Sequence, residues 1–72
     1  MAEKAEFTGV VETVLGNNNY RIRVVIGEEE RIIRCHLNGK MRLHRITVIP
    51  GDRVLLELPP PFDIGRITRR VQ

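Results

Sequence analysis

A chain of 72 residues makes one domain, and at that size only about 60% of the unfolded surface is buried, which leaves a thin core and no deep substrate cleft. Its one cysteine, Cys35, excludes an internal disulfide and suits a reducing cytoplasm, no apolar run approaches the ~20 residues of a membrane span, and the charged start MAEKAEF lacks the apolar stretch of a secretory signal. Twelve cations against nine anions give a net charge of +3, and all the cations but Lys4 and Lys40 are arginine, whose planar fork of donors suits phosphate.

In chain order the pattern is short β-like runs separated by turn residues. Residues 1–6 are expected to fray. Phe7 to Leu15 is rich in β-branched residues, with Gly9 read as a bulge or bend. Gly16 to Asn19 is a turn, since Gly and Asn tolerate left-handed backbone. From Tyr20 to Ile26 the alternation puts Tyr20, Ile22, Val24 and Ile26 on one face and Arg21, Arg23 and Val25 on the other. After the turn at Gly27, Ile33, Cys35 and Leu37 share one face and Ile32, Arg34 and His36 the other. A longer connection, Asn38 to Pro50, could form a short helix with Met41 inward and Lys40 and Arg42 outward. Asp52 to Leu58 gathers Val54, Leu56 and Leu58, the prolines at 59–61 break the chain, and Ile64 to Val71 is a last, basic strand. Five strands in so short a chain need their edges closed, which a small barrel achieves. An insert between the third and fourth strands is the layout of an OB fold, with an SH3-like barrel as the rival.

Catalysis finds little support. The histidines are His36 and His44, no carboxylate stands at a spacing that would orient either as a base, and Cys35 falls on an apolar face, where it reads as a small buried hydrophobe. One Cys and two His on separate elements are poor zinc ligands, and Glu28 to Glu30 reads as a solvated turn. The basic residues are more informative. From Arg31 onward the chain carries nine cations against three anions, so one face of positive potential is expected. Arg21, Arg23 and Arg34 lie on the polar faces of neighbouring strands, either paired with nearby glutamates or free to meet phosphate. Lys40, Arg42 and Arg45 on the connector, and Arg66, Arg69 and Arg70 on the last strand, have few acids close in sequence. The only aromatics, Phe7, Tyr20 and Phe62, include no obvious platform for stacking bases, and Phe7 and Tyr20 face inward by alternation. Folded RNA, read by shape and phosphate, fits better than bulk single strands.

The stretch HLNGKMR (His36 to Arg42), PGDRV (Pro50 to Val54), the Glu57-Leu58 pair and GRI (Gly65 to Ile67) together resemble bacterial translation initiation factor one, in order and spacing from about Gly9 to Arg69. The resemblance implies an all-β fold, a single S1-like five-stranded OB-fold barrel over residues 1–72, with a short helix or turn between strands three and four. It implies a cytoplasmic protein that binds the small ribosomal subunit at the aminoacyl-tRNA site, against decoding-region rRNA and beside a ribosomal protein. There it would block premature tRNA entry and assist the other two initiation factors. No catalysis, cofactor or metal is implied; neither membrane nor DNA is a partner, and the chain should be a monomer off the ribosome. A general RNA-binding or RNA-chaperone protein of cold-shock type is the alternative.

Carried over as rRNA contacts are Lys40, Arg42, Arg66 and Arg21, joined by Arg45, Arg69, Arg23, Arg34 and His36 as candidates, with Met41 anchoring the connector on the barrel. The chain also departs from the family pattern. Leu43 and Thr47 stand where the family has basic residues, with Arg45 as the candidate replacement for the second. The hairpin at Gly27–Glu30 reads about three residues longer, and the Pro59–Asp63 loop differs.

Overall fold

A computed structural model describes residues 6–43 and 48–71, with Arg42 described by its backbone alone. Five strands, β1 (Glu6–Gly16), β2 (Asn19–Ile26), β3 (Glu29–Leu37), β4 (Arg53–Glu57) and β5 (Ile64–Arg70), are joined by one helix, α1 (Gly39–Leu43), between β3 and β4. They close into a barrel in the order β1-β2-β3-β5-β4. Every neighbouring pair is antiparallel except β3–β5. This is the OB-fold arrangement, and the SH3-like rival is set aside.

Two of the turns follow from their residues. Asn17 and Asn18 both take positive φ, 53° and 62°, as a type I′ turn requires, and Asn is among the few side chains that adopt this backbone readily. Gly27, at φ +66°, opens a two-residue turn that makes the β2–β3 hairpin tight, with Glu29 already in strand. The PGD stretch closes on itself. Asp52 Oδ2 accepts from the Ile49 N–H at 3.0 Å, Gly51 takes φ +96°, and the Gly51 N–H donates to the Val11 carbonyl at 2.9 Å. That bond ties the start of β4 to β1.

β1 is long because it serves two neighbours. Its first half, Glu6 to Val10, pairs with β4, and Gly9 onward pairs with β2. Residues 1–5 lie outside the described residues, and Glu6, expected to fray with them, instead opens β1 opposite Glu57. Of the bulge or bend expected at Gly9, the bulge is not there. The register shifts fall later, between Val11 and Thr13 and between Val14 and Gly16. Gly9 is needed for closeness: a Cβ there would lie 2.4 Å from Ile22 Cγ2 and 3.0 Å from the Arg23 carbonyl.

The core is what alternation selects. Val11, Tyr20, Ile22, Val24, Ile33, Cys35, Leu37, Val54, Leu56, Leu58 and Ile67 are buried together with Met41 and Val48 from the connector. Burying each large apolar side chain gains roughly 1.5–3 kcal/mol relative to leaving it in water. Phe7 and Phe62 pack against this cluster and meet edge to face, with ring centroids 6.2 Å apart. The connector is pinned by side chain and backbone alike. Asn38, read from sequence as a turn residue, caps α1: its Oδ1 accepts from the Met41 N–H at 2.8 Å, while its own N–H donates to the Ile67 carbonyl at 3.0 Å. Met41 is only 4% exposed.

Candidate nucleic-acid interface

Alternation that turns Tyr20, Ile22, Ile33 and Cys35 inward turns Arg21, Arg23, Arg34 and His36 outward, and all four of these are partly or fully exposed. The antiparallel β2–β3 register sets Arg21 directly opposite Arg34. Residues so opposed stand about 5 Å apart at their Cα atoms, and like charges in that relation destabilise a sheet. Neither arginine has an acidic partner among the described residues. The next row carries Asn19 opposite His36, and the parallel β3–β5 pairing continues it to Arg66. Barrel closure thus assembles Arg21, Arg34, His36 and Arg66 on one outer face from three strands.

The remaining strand arginine, Arg23, has a different environment. Its Nε lies 3.1 Å from Glu12 Oε2, across the irregular part of β1, so for this residue the paired alternative holds. Arg66 also has a carboxylate: Nη2 donates to Glu57 Oε1 across the β4–β5 register. Its side chain stays half exposed while that of Glu57 is largely covered, which leaves the guanidinium reachable and held in place. Arg69 lies further along β5 opposite Leu55, exposed and away from the His36–Arg66 row. Lys40 is exposed on α1, just beyond the end of β3. Arg42 lies in α1, and Arg45 falls outside the described residues.

Beside the His36–Arg66 row runs an open cleft of about 380 Å³, lined by His36, Glu57, Pro59, Ile64, Gly65 and Arg66. Sequence reading missed Glu57 and Ile64 here, because only barrel closure sets the start of β5 between β3 and β4. Gly65 makes that approach possible: a Cβ there would sit 2.9 Å from Cys35 Sγ and 3.2 Å from the Glu57 carbonyl. Its presence in GRI is a requirement of packing.

The face has the chemistry of an anion-binding surface. Guanidinium groups offer paired donors to phosphate, and no outward position of β2 or β3 holds Phe, Tyr or Trp, the imidazole of His36 being the one ring on that face. Cys35 is fully buried, and burial pushes its thiol up to about 12 against a weaker lowering by a backbone hydrogen bond from Gly65. It is therefore a neutral, unreactive filler at physiological pH. Among the described residues no cluster of His, Cys, Asp or Glu is placed to hold a metal ion, and no helix is long and apolar enough to cross a membrane.

Comparison with known proteins places this face in context. Over 96% of its length the chain is similar to the solution structure of translation initiation factor 1 from the Wolbachia endosymbiont strain TRS of Brugia malayi, with TM-score 0.67 and 36% identity, covering 79% of that chain. Over 93% of its length it is similar to the crystal structure of YjeQ from Thermotoga maritima, with TM-score 0.67 and 28% identity. There it spans only 23% of the longer protein. The family model of translation initiation factor 1A / IF-1 matches residues 1–72. The chain belongs to the translation initiation factor 1A / IF-1 family.

Proposed function

We propose that this protein binds the small ribosomal subunit in the cytoplasm, at the aminoacyl-tRNA site. There it lies against decoding-region rRNA and beside a ribosomal protein, blocks premature entry of tRNA, and assists the other two initiation factors. It acts by occupancy, without catalysis or cofactor. The observation that carries the reading, beyond family membership, is the Arg21–Arg34 pair: two like charges directly opposed, with no acid among the described residues to relieve them. Such a pair costs stability in the free protein and is relieved when a phosphate enters between the guanidinium groups.

In this reading Arg21, Arg34, His36 and Arg66 form one contact surface. Lys40, Arg42 and Arg45 on the connector form a second, held to the barrel by Met41. Arg69 adds charge at the periphery, and Arg23, already engaged by Glu12, contributes least. Each phosphate neutralised releases counterions, so affinity should fall with salt at a log–log slope of about −0.7 to −0.9 per phosphate. A cation surface without Phe, Tyr or Trp suits folded RNA, read by backbone shape. A cold-shock-type chaperone needs aromatic side chains where β2 and β3 here present arginine and histidine.

The test is titration of purified small subunits with labelled protein across a salt series, with tRNA bound at the aminoacyl site and bulk single-stranded RNA as competitors. Saturable binding displaced by that tRNA, and not by bulk RNA, is expected. Equal displacement by both would instead describe a general RNA binder.

A further inference from the structure

β3 is paired along nearly its whole length on one side and along only its second half on the other. β2 pairs with it from Glu29 to His36, whereas β5 pairs with it only from Arg34 to Leu37. No described strand lies against Glu29–Ile33 on that second side. The hairpin also outruns β1, whose pairing with β2 reaches only Val24, leaving Val25 and Ile26 beyond it. The end of the β2–β3 hairpin therefore projects from the barrel wall with an open backbone edge, and such an edge is a template for a further strand.

The side chains around this edge select what could join it. On its outer face Val25 and Ile32, diagonal neighbours in the register, are 56% and 50% exposed. Ile32, on the edge strand itself, offers apolar contact to an added strand, and Val25 behind it on β2 extends the apolar patch. The turn and the start of the edge carry Glu28, Glu29 and Glu30. Arg31 is held by Glu29 at 3.0 Å, and neither Glu28 nor Glu30 has a cationic partner among the described residues. In a protein otherwise rich in arginine this tip repels phosphate. It would equally repel the same edge of a second copy. About 13 Å of strand separates Glu30, the nearer of those two acids, from Arg34, at roughly 3.3 Å per residue. That exceeds the Debye length of about 8 Å at physiological salt, so the acidic tip does not neutralise the cation face.

We propose that the open edge Glu29–Ile33 takes up an extended, lysine- or arginine-rich segment of a partner protein as an added strand. Backbone hydrogen bonds along the edge provide the pairing, Ile32 the apolar contact, and Glu28 and Glu30 the selection for positive charge. This surface is distinct from the cation face and does not depend on what that face binds.

The test uses the full chain, isotopically labelled, titrated with a short peptide of alternating lysine and valine with capped ends. A matched peptide N-methylated at alternate residues keeps the charge but cannot complete the ladder. The expected result is amide shifts and slowed hydrogen exchange centred on Glu29–Ile33. Binding should be about ten-fold weaker for the N-methylated peptide, and about ten-fold weaker for the unmodified peptide when the chain carries Glu28→Lys and Glu30→Lys together. The N-methylated arm needs no change to the protein, so it remains decisive if that variant folds poorly. Equal binding of the two peptides overturns the proposal, since charge alone would then account for it. So do shifts absent or centred elsewhere, and shifts of the same amides produced by raising the protein's own concentration or by adding polyuridine.

Discussion

Two arginines stand two residues apart on β2 and meet opposite surroundings. Arg23, toward the hairpin end, is joined to Glu12, and beyond it Arg31 is joined to Glu29. Arg21, at the middle of the barrel wall, faces Arg34 and has no acidic partner among the described residues. Arg21 and Arg23 share strand, face and exposure, so the difference between them lies in the charges set around them. Exposed ion pairs contribute little, about 0–1 kcal/mol, and Arg23 and Arg31 each have their charge met by a glutamate. The Arg21–Arg34 pair carries a small repulsive cost that folding alone does not explain. In the proposed reading, this concentrated positive charge is what meets phosphate.

That contrast requires that binding and stability can be separated, and the connector supplies the case in which they cannot. Met41→Ala should give the largest change. It leaves a cavity under α1 and should cost about 2–5 kcal/mol, lowering the melting temperature by several degrees for each kcal/mol in a domain this small. Subunit binding should fall with it, because Lys40 loses its support. Unchanged thermal unfolding would remove Met41 as the pin. Arg34→Glu should weaken subunit binding about a hundred-fold by turning an attractive charge repulsive, while the melting temperature holds or rises, since the introduced carboxylate would oppose Arg21 favourably. Loss of stability in parallel with loss of binding would show that the pair belongs to the fold. Arg21→Ala should weaken binding about ten-fold and reduce the magnitude of the salt slope by the share of one phosphate, about 0.7–0.9. An unchanged slope would take Arg21 out of the contact surface.

Legibility in the sequence followed the range of the interactions. Alternation is local, so the inward set from Tyr20 to Leu58 and the outward set from Arg21 to His36 could be read residue by residue. The turns were equally plain, because Asn17, Asn18 and Gly27 are residues that tolerate left-handed backbone. Which outward residues share a row was not readable, because it depends on register and closure. Arg21 against Arg34 needs the β2–β3 register, and Arg66 beside His36 needs the parallel closure of β3 on β5. Glu57 was missed for that reason, and with it the fact that Arg66 is already engaged. The bulge expected at Gly9 was misplaced, because a glycine that admits a neighbouring backbone and one that carries a bulge look alike until the neighbour is known. Asn38 followed the same course: an Asn-Gly pair signals a turn, but the segment after it continues as helix, so its side chain caps Met41 instead.

The smallest expected effect gives the sharpest comparison. Arg23→Ala removes the same charge from the same strand as Arg21→Ala, so simple electrostatics would give both variants the same loss of affinity. The structure distinguishes them. A phosphate approaching Arg23 must compete with Glu12, and the departing guanidinium leaves that carboxylate exposed to water at little cost. Arg23→Ala should therefore change subunit binding by no more than about two- to three-fold and leave the salt slope unchanged within error, with stability altered by less than about 1 kcal/mol. The variant Glu12→Gln, with Arg23 intact, provides the complement: freed from its partner, Arg23 should strengthen binding slightly and steepen the slope. If Arg23→Ala and Arg21→Ala instead weaken binding equally, net charge governs the interaction, and the directly opposed pair has no special standing.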